Sequence, residues 1–149
     1  MEDTFHMLLY RAFHTQRAWL RPWRGAIGLG PGQPKVISFL TRNGPCSQRQ
    51  LADYFEIDPA AVCRMLDSLE KGGFVTRRTD QNDRRTGVVE VTPKGAAASD
   101  AWLEACRGME RQMLRGFTPQ ETEQFADYLR RARENLREPS APAPEEGRS

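Results

Sequence analysis

The stretch Ser47-Gln-Arg-Gln-Leu-Ala-Asp-Tyr-Phe-Glu-Ile-Asp-Pro-Ala-Ala-Val-Cys-Arg-Met-Leu-Asp-Ser-Leu-Glu-Lys-Gly-Gly73 decides the fold. Its first four residues are the S-x-x-Q form of a capping box, in which hydroxyl and amide each satisfy a free backbone N–H at a helix start. A short helix is therefore predicted from Ser47 through Leu51, Ala52, Tyr54 and Phe55. Glu56-Ile57 makes a turn, and Asp58-Pro59 sets a capping acceptor ahead of a proline at the first helical position, opening a second helix. Its buried stripe is Val62, Leu66 and Leu69, with Met65 beside it, and Lys71-Gly72-Gly73 supplies a basic last turn and glycines that end it. Beyond it, Phe74–Arg77 and Val88–Thr92 are rich in β-branched and aromatic residues and bracket a polar stretch, Asp80 to Gly87, which predicts a β-hairpin. Residues 47–92 thus read as a helix-turn-helix followed by a wing.

Outward from this unit the chain is helical. On the N-terminal side a helix is expected from Gln33 to Arg42 on Val36, Ile37, Phe39 and Leu40, stopped by Asn43-Gly44-Pro45. Phe5 to Trp23 carries Phe5, Leu8, Leu9, Ala12, Phe13, Trp19 and Leu20 at helical spacing. Pro22 is expected to end, shorten or kink that helix, and Gly25–Gly32 to be a connection. On the C-terminal side Thr92-Pro93 opens a long helix to about Gly116, and Thr118-Pro-Gln-Glu121 is a second capping box launching a helix through Leu136. From Pro139 the proline-rich residues 139–149 lack the apolar content to bury a core and are expected to be disordered. The predicted class is mainly α with a small β-hairpin: a single domain over 1–138, with a winged helix-turn-helix lobe at 33–95 flanked by helices at 1–24 and 96–138.

Composition narrows the function. The chain has 149 residues, 38% of them hydrophobic, which suits an ordinary globular protein. It contains no apolar run long enough for a membrane span, and Met1-Glu2-Asp3 does not begin a signal peptide, so no membrane partner and a cytoplasmic location are expected. The cysteines Cys46, Cys63 and Cys106 are an odd, widely spaced set that suggests neither disulfide framework nor zinc site. The two histidines, His6 and His14, lie eight apart in one helix with no nucleophile set or phosphate loop nearby. No catalytic residues, metal or cofactor are therefore expected. Net charge is only +2, so a case for nucleic acid rests on where the charges sit.

They sit on the motif. With Val62, Leu66 and Leu69 buried, the other face of their helix presents Ala60, Ala61, Cys63, Arg64, Asp67 and Ser68. Arg64 has the fork that reads guanine, the two alanines suit thymine methyls, and Asp67 would repel phosphate and is expected to point elsewhere. Pro59 at the start of this helix and Ser47 and Gln48 at the start of the preceding one complete the major-groove side. The hairpin carries Arg77, Arg78, Arg84 and Arg85 against Asp80 and Asp83, a local excess of +2. Arginine at a protruding tip suits a narrow minor groove, and Asp83 is placed to brace Arg85. The large apolar stripes of the first, fifth and sixth helices exceed what so small a lobe can cover, which favours self-association into a homodimer.

The runs Ser47-Gln-Arg-Gln-Leu-Ala, Val62-Cys-Arg-Met-Leu-Asp-Ser-Leu-Glu-Lys-Gly-Gly-Phe-Val, Asp80-Gln-Asn-Asp-Arg-Arg85 and Val91-Thr-Pro-Lys-Gly95 together resemble the MarR family of bacterial transcriptional regulators. The resemblance implies a homodimer held by the first, fifth and sixth helices, reading a pseudo-palindromic double-stranded DNA site. It makes Pro59–Lys71 the recognition helix, and Asp83 and Arg85 the aspartate and minor-groove arginine of the wing. It also implies a repressor released by a small aromatic or phenolic ligand in a cleft between the dimer helices and the winged lobe, with His14, Arg17, Trp19, Arg21 and Trp23 as candidate contacts. Two alternatives accompany this reading: a winged helix that binds protein rather than DNA, and a cysteine-based redox regulator. Redox-sensing relatives carry their reactive cysteine in the first helix, where this chain has none; Cys63, on the DNA-facing side, is the candidate here.

Overall fold

A computed structural model of the chain describes residues 4–79 and 87–139. The chain divides into two compact units, residues 1–110 and 111–149. The described residues form six helices, α1 (Phe5–Ile27), α2 (Gln33–Asn43), α3 (Gln48–Phe55), α4 (Pro59–Lys71), α5 (Pro93–Met113) and α6 (Pro119–Arg137), and three strands, β1 (Cys46–Ser47), β2 (Val75–Thr79) and β3 (Gly87–Val91). The expected wing tip, with Asp83, Arg84 and Arg85, and the expected tail beyond Pro139 lie outside the described residues.

Both capping boxes form. The Ser47 hydroxyl accepts the Gln50 N–H at 3.0 Å while the Gln50 side chain accepts the Ser47 N–H at 2.8 Å, and Thr118 and Glu121 repeat the exchange at the start of α6. Asp58 caps α4 by accepting the Ala60 N–H at 2.8 Å. The sheet is antiparallel in the order β1-β3-β2, with Val75 opposite Val91 and Arg77 opposite Val89. The short β1, pairing Cys46 with Val89 and Ser47 with Val88, adds a third strand to the expected hairpin.

One core holds the winged lobe together. Leu29, Val36, Ile37, Leu40, Leu51, Ala52, Val62, Leu66, Leu69, Phe74, Val75, Val89 and Ala98 are buried in a single cluster drawn from α2, α3, α4, α5 and the sheet. The expected stripe Val62, Leu66 and Leu69 is fully buried within it. A smaller cluster of Leu20, Ala105 and Met109, with Trp102 and Cys106 against it, joins α1 to α5.

Pro22 does not end the first helix, contrary to the sequence expectation. A proline removes one i→i−4 bond and crowds the preceding turn, but the residues after it keep their own donors. The helix runs five residues further to Ile27, which packs against the main core. Its end is set by Gly28 at φ 91°, with the Gly28 N–H on Gly25 O and the Leu29 N–H on Arg24 O, both at 3.1 Å. Gly25 is therefore helical rather than part of the connection. The fifth helix stops at Met113, short of the expected Gly116, which takes a left-handed turn at φ +86°.

Candidate nucleic-acid interface

The α3–α4 pair is joined by Glu56, whose left-handed backbone at φ 54° ends α3, and by Asp58, which starts α4. With Val62, Leu66 and Leu69 anchored, Pro59, Ala60, Cys63, Arg64, Asp67 and Ser68 are exposed along one side of α4, and Ala61 is half-buried. Gln48 is half-buried in the first turn of α3. Ser47 departs from its expected role as a surface contact: it is buried, and its hydroxyl is engaged in the capping box.

Arg77 differs more. Strand alternation puts it on the inner face of the sheet with Val75 and opposite buried Val89, so its side chain runs toward α4 and not outward. There Nη2 lies 2.5 Å from Asp67 Oδ1 and 3.2 Å from Glu70 Oε1, and Nε lies 3.5 Å from Glu70 Oε2. Hydrogen bonding to Glu70 and Asp67 pushes the guanidinium further above its ordinary range. Asp67 is thus turned to an arginine rather than bare toward solvent, and Arg78 is the exposed arginine of β2.

The far end of α4 is fastened to α5. The Thr92 hydroxyl donates to Gly73 O and Lys94 Nζ donates to Gly72 O, each at 2.6 Å, while the Thr92 N–H bonds Phe74 O at 3.0 Å. Lys94 also lies over the Phe74 ring, 4.6 Å from its centroid. Gly95 comes so close that a Cβ there would stand 2.1 Å from Phe74 O. Two motifs read separately in the sequence, Lys-Gly-Gly-Phe and Val-Thr-Pro-Lys-Gly, are the halves of one joint.

A cleft of about 280 Å³ opens between α1, α2 and α5, lined by Phe13, Arg17, Leu20, Arg21, Arg24, Lys35 and Trp102 among others. Of the expected ligand residues, Arg17 and Arg21 line it. His14, Trp19 and Trp23 do not: His14 stacks on Tyr10 with centroids 5.8 Å apart, and Trp19 stacks on Trp23 at 6.2 Å. The helical period explains the two tryptophans, since the lining residues 13, 17, 20, 21 and 24 share one side of α1 while 19 and 23 fall on another; His14 is on the lining side but stacks on Tyr10. Arg24, Lys35 and Trp102 were missed; the last two come from other helices, which no local pattern connects to α1. Arg24 Nε is buried there and has no hydrogen-bond partner among the described residues. The cleft therefore offers four cations and two aromatic rings, a set suited to a small aromatic anion.

The cysteines are unpaired thiols. Burial pushes the Cys46 thiol up, and burial followed by the Glu110 charge does the same to Cys106, leaving both poor in thiolate at neutral pH. Cys63 is exposed on α4. Among the described residues, no helix is long and apolar enough to cross a membrane.

Comparison with known proteins agrees with this architecture. The MarR family model matches residues 27–86, from the end of α1 past β2 to the residue before β3. A solved structure described as a probable transcriptional regulator from Pseudomonas aeruginosa is 32% identical, covering 87% of this chain and 97% of its own, with a TM-score of 0.78. A MarR-family transcriptional regulator from Silicibacter pomeroyi is 27% identical with a TM-score of 0.76, covering 91% of each chain. The MepR of S. aureus, solved as a complex with DNA, shares the fold at a TM-score of 0.84 and 20% identity, covering 91% of this chain and all of its own. With a capped helix-turn-helix, a wing strand on each side of residues 80–86 and these relatives, the chain belongs to the MarR family of winged-helix transcriptional regulators.

Proposed function

We propose that the protein is a sequence-specific DNA-binding repressor that acts as a homodimer on a pseudo-palindromic operator in a bacterial cytoplasm, and that a small aromatic anion releases it. The observation that carries the DNA reading is the exposed side of α4. Pro59, Ala60, Ala61, Arg64 and Ser68 stand on a helix whose opposite stripe is wholly buried, so a rigid ridge one helix wide is offered to a major groove. Gln48 braces the approach, and Arg84 and Arg85 of the wing are the residues for the minor groove or phosphates, with Asp83 bracing Arg85. The DNA complex of MepR, which shares the fold, supports the same use of the lobe.

Self-association is supported by surfaces that one chain leaves bare. In α6 no residue is buried, and Phe125, Tyr128, Leu129 and Leu136 are exposed. In the first half of α1, Phe5, Leu8, Leu9, Tyr10 and Phe13 are exposed as well. Apolar surface of this extent marks an interface. The dimer helices are then those of residues 1–24 and 96–138, around the 33–95 lobe of a single domain.

The test is binding to duplexes selected from a random pool, set against scrambled duplexes of the same composition across a salt series. A preference of ~10³ with a steep salt dependence is expected. Equal weak binding to both would overturn the reading and favour a protein partner for the wing. For the cleft, calorimetry with benzoate and 4-hydroxybenzoate, with benzyl alcohol as the uncharged control, is expected to show binding of the anions only. Arg24→Gln is expected to abolish that binding.

A further inference from the structure

The recognition helix carries two exposed carboxylates one turn apart, Asp67 beside the side from which Arg64 projects and Glu70 on the flank that faces β2. Bare acids there would oppose the approach of a phosphate backbone. Both are engaged by one guanidinium, that of Arg77, which leaves only 22% of its side chain exposed. Its Nε and Nη2 face the two oxygens of Glu70 while Nη2 also reaches Asp67, the forked geometry that a lysine cannot reproduce. Arg77 reaches this position because it shares the inward side of β2 with Val75, and β2 runs directly into residues 80–86.

We infer that Arg77 is a positioning residue, not a DNA contact: it clamps the wing strand β2 to the DNA-facing side of α4 and masks two carboxylates that would repel the backbone. The clamp sets the angle between recognition helix and wing, so that both reach one stretch of duplex together. It rests on the DNA-binding reading above and adds to it the element that fixes the spacing of the two reading heads. The pair is partly solvated, so its effect falls on orientation far more than on overall stability.

The experiment measures affinity for the best duplex recovered from a random pool, across a salt series, for the full chain and four variants. Arg77→Gln is expected to weaken binding roughly ten-fold, within the range of coupled contacts, with the salt slope unchanged. Arg77→Lys, which keeps the charge, is expected to weaken it similarly. Asp67→Asn with Glu70→Gln is expected to lower affinity although it removes negative charge, and adding Arg77→Gln to that pair is expected to cost nothing more. Amide exchange of Thr76 and Arg78 is expected to quicken in Arg77→Gln while the thermal midpoint barely moves. The clamp is overturned if Arg77→Gln flattens the salt slope by about 0.9 and lysine restores affinity, which is the signature of a phosphate contact. It is equally overturned if the carboxylate pair variant binds as tightly as the parent or tighter. Failure of the parent chain to prefer its selected duplex over a scrambled one would refute the DNA reading itself, a result distinct from either.

Discussion

The winged lobe and the helix α6 solve the same problem in opposite ways. In the lobe, α4 buries Val62, Leu66 and Leu69 completely against partners from four other elements, and the exposed face left over is the one proposed to meet DNA. In α6, which opens with an equally well-formed capping box, no side chain is buried and Leu136 is 85% exposed. A helix that is capped and amphipathic yet unburied has local reasons to form, and its apolar stripe stays open. The contrast separates a part that is packed within one copy from a part whose apolar stripe is left exposed, as the proposed homodimer requires.

The comparison breaks most visibly in the lobe. Gly95→Ala forces a Cβ against Phe74 O at the α4–α5 joint and is expected to cost more than about 4 kcal/mol, seen as loss of a cooperative urea transition. Leu66→Ala, which opens a cavity in the same core, is expected to cost about 2–5 kcal/mol by the same measurement. In α6 the corresponding change has a different readout. Leu129→Asp is expected to leave the lobe folded by circular dichroism and to shift sedimentation from dimer to monomer by at least ten-fold in dissociation constant; unfolding of the lobe instead would erase the distinction drawn here.

The two capping boxes sharpen it further. Ser47→Ala removes a buried cap and is expected to cost about 1 kcal/mol in urea unfolding, whereas Thr118→Ala acts on an exposed one and is expected to cost less. The smallest effect is one of pH. Bonds from the Thr118 backbone N–H and its hydroxyl hold the Glu121 carboxyl below its ordinary range. Its contribution to α6 is therefore present above the usual carboxylate range and is lost as pH falls through the lowered native value. Gln50, in the same place in α3, does not titrate. Protection of the Thr118 amide against exchange is expected to fall between neutral pH and about pH 3, while that of the Ser47 amide follows global stability alone.

Much of the fold was legible because its signals are local. A cap, a proline at the first turn and a glycine at the last act over three or four residues, and the hydrophobic period of α4 exposes its own buried face. For the same reason the boundaries of α3, α4 and α6 follow their capping residues. Pro22 misled because a local breaker was outweighed by burial of Leu29 in, and packing of Ile27 against, a core built from distant residues. Within the candidate interface, the exposure of Ala60, Arg64 and Ser68 followed from periodicity. The inward course of Arg77 was also written in the sequence, two residues from Val75 on a strand, but it shows only when alternation is given priority over charge.

By itself, then, the sequence determined which segments become the six helices and the two hairpin strands, where the capped helices begin, and which stripe of α4 seeks the core. These follow from backbone hydrogen bonding and side-chain periodicity within a turn or two. Only the tertiary structure decided that Arg77 meets Asp67 and Glu70, that Lys94 and Thr92 lock the end of α4, that β1 joins the sheet, and that Trp102 and Lys35 line a cleft with α1. Those contacts join residues seven to nearly ninety positions apart, and their partners are selected by how the assembled core orients whole elements, which no local pattern encodes.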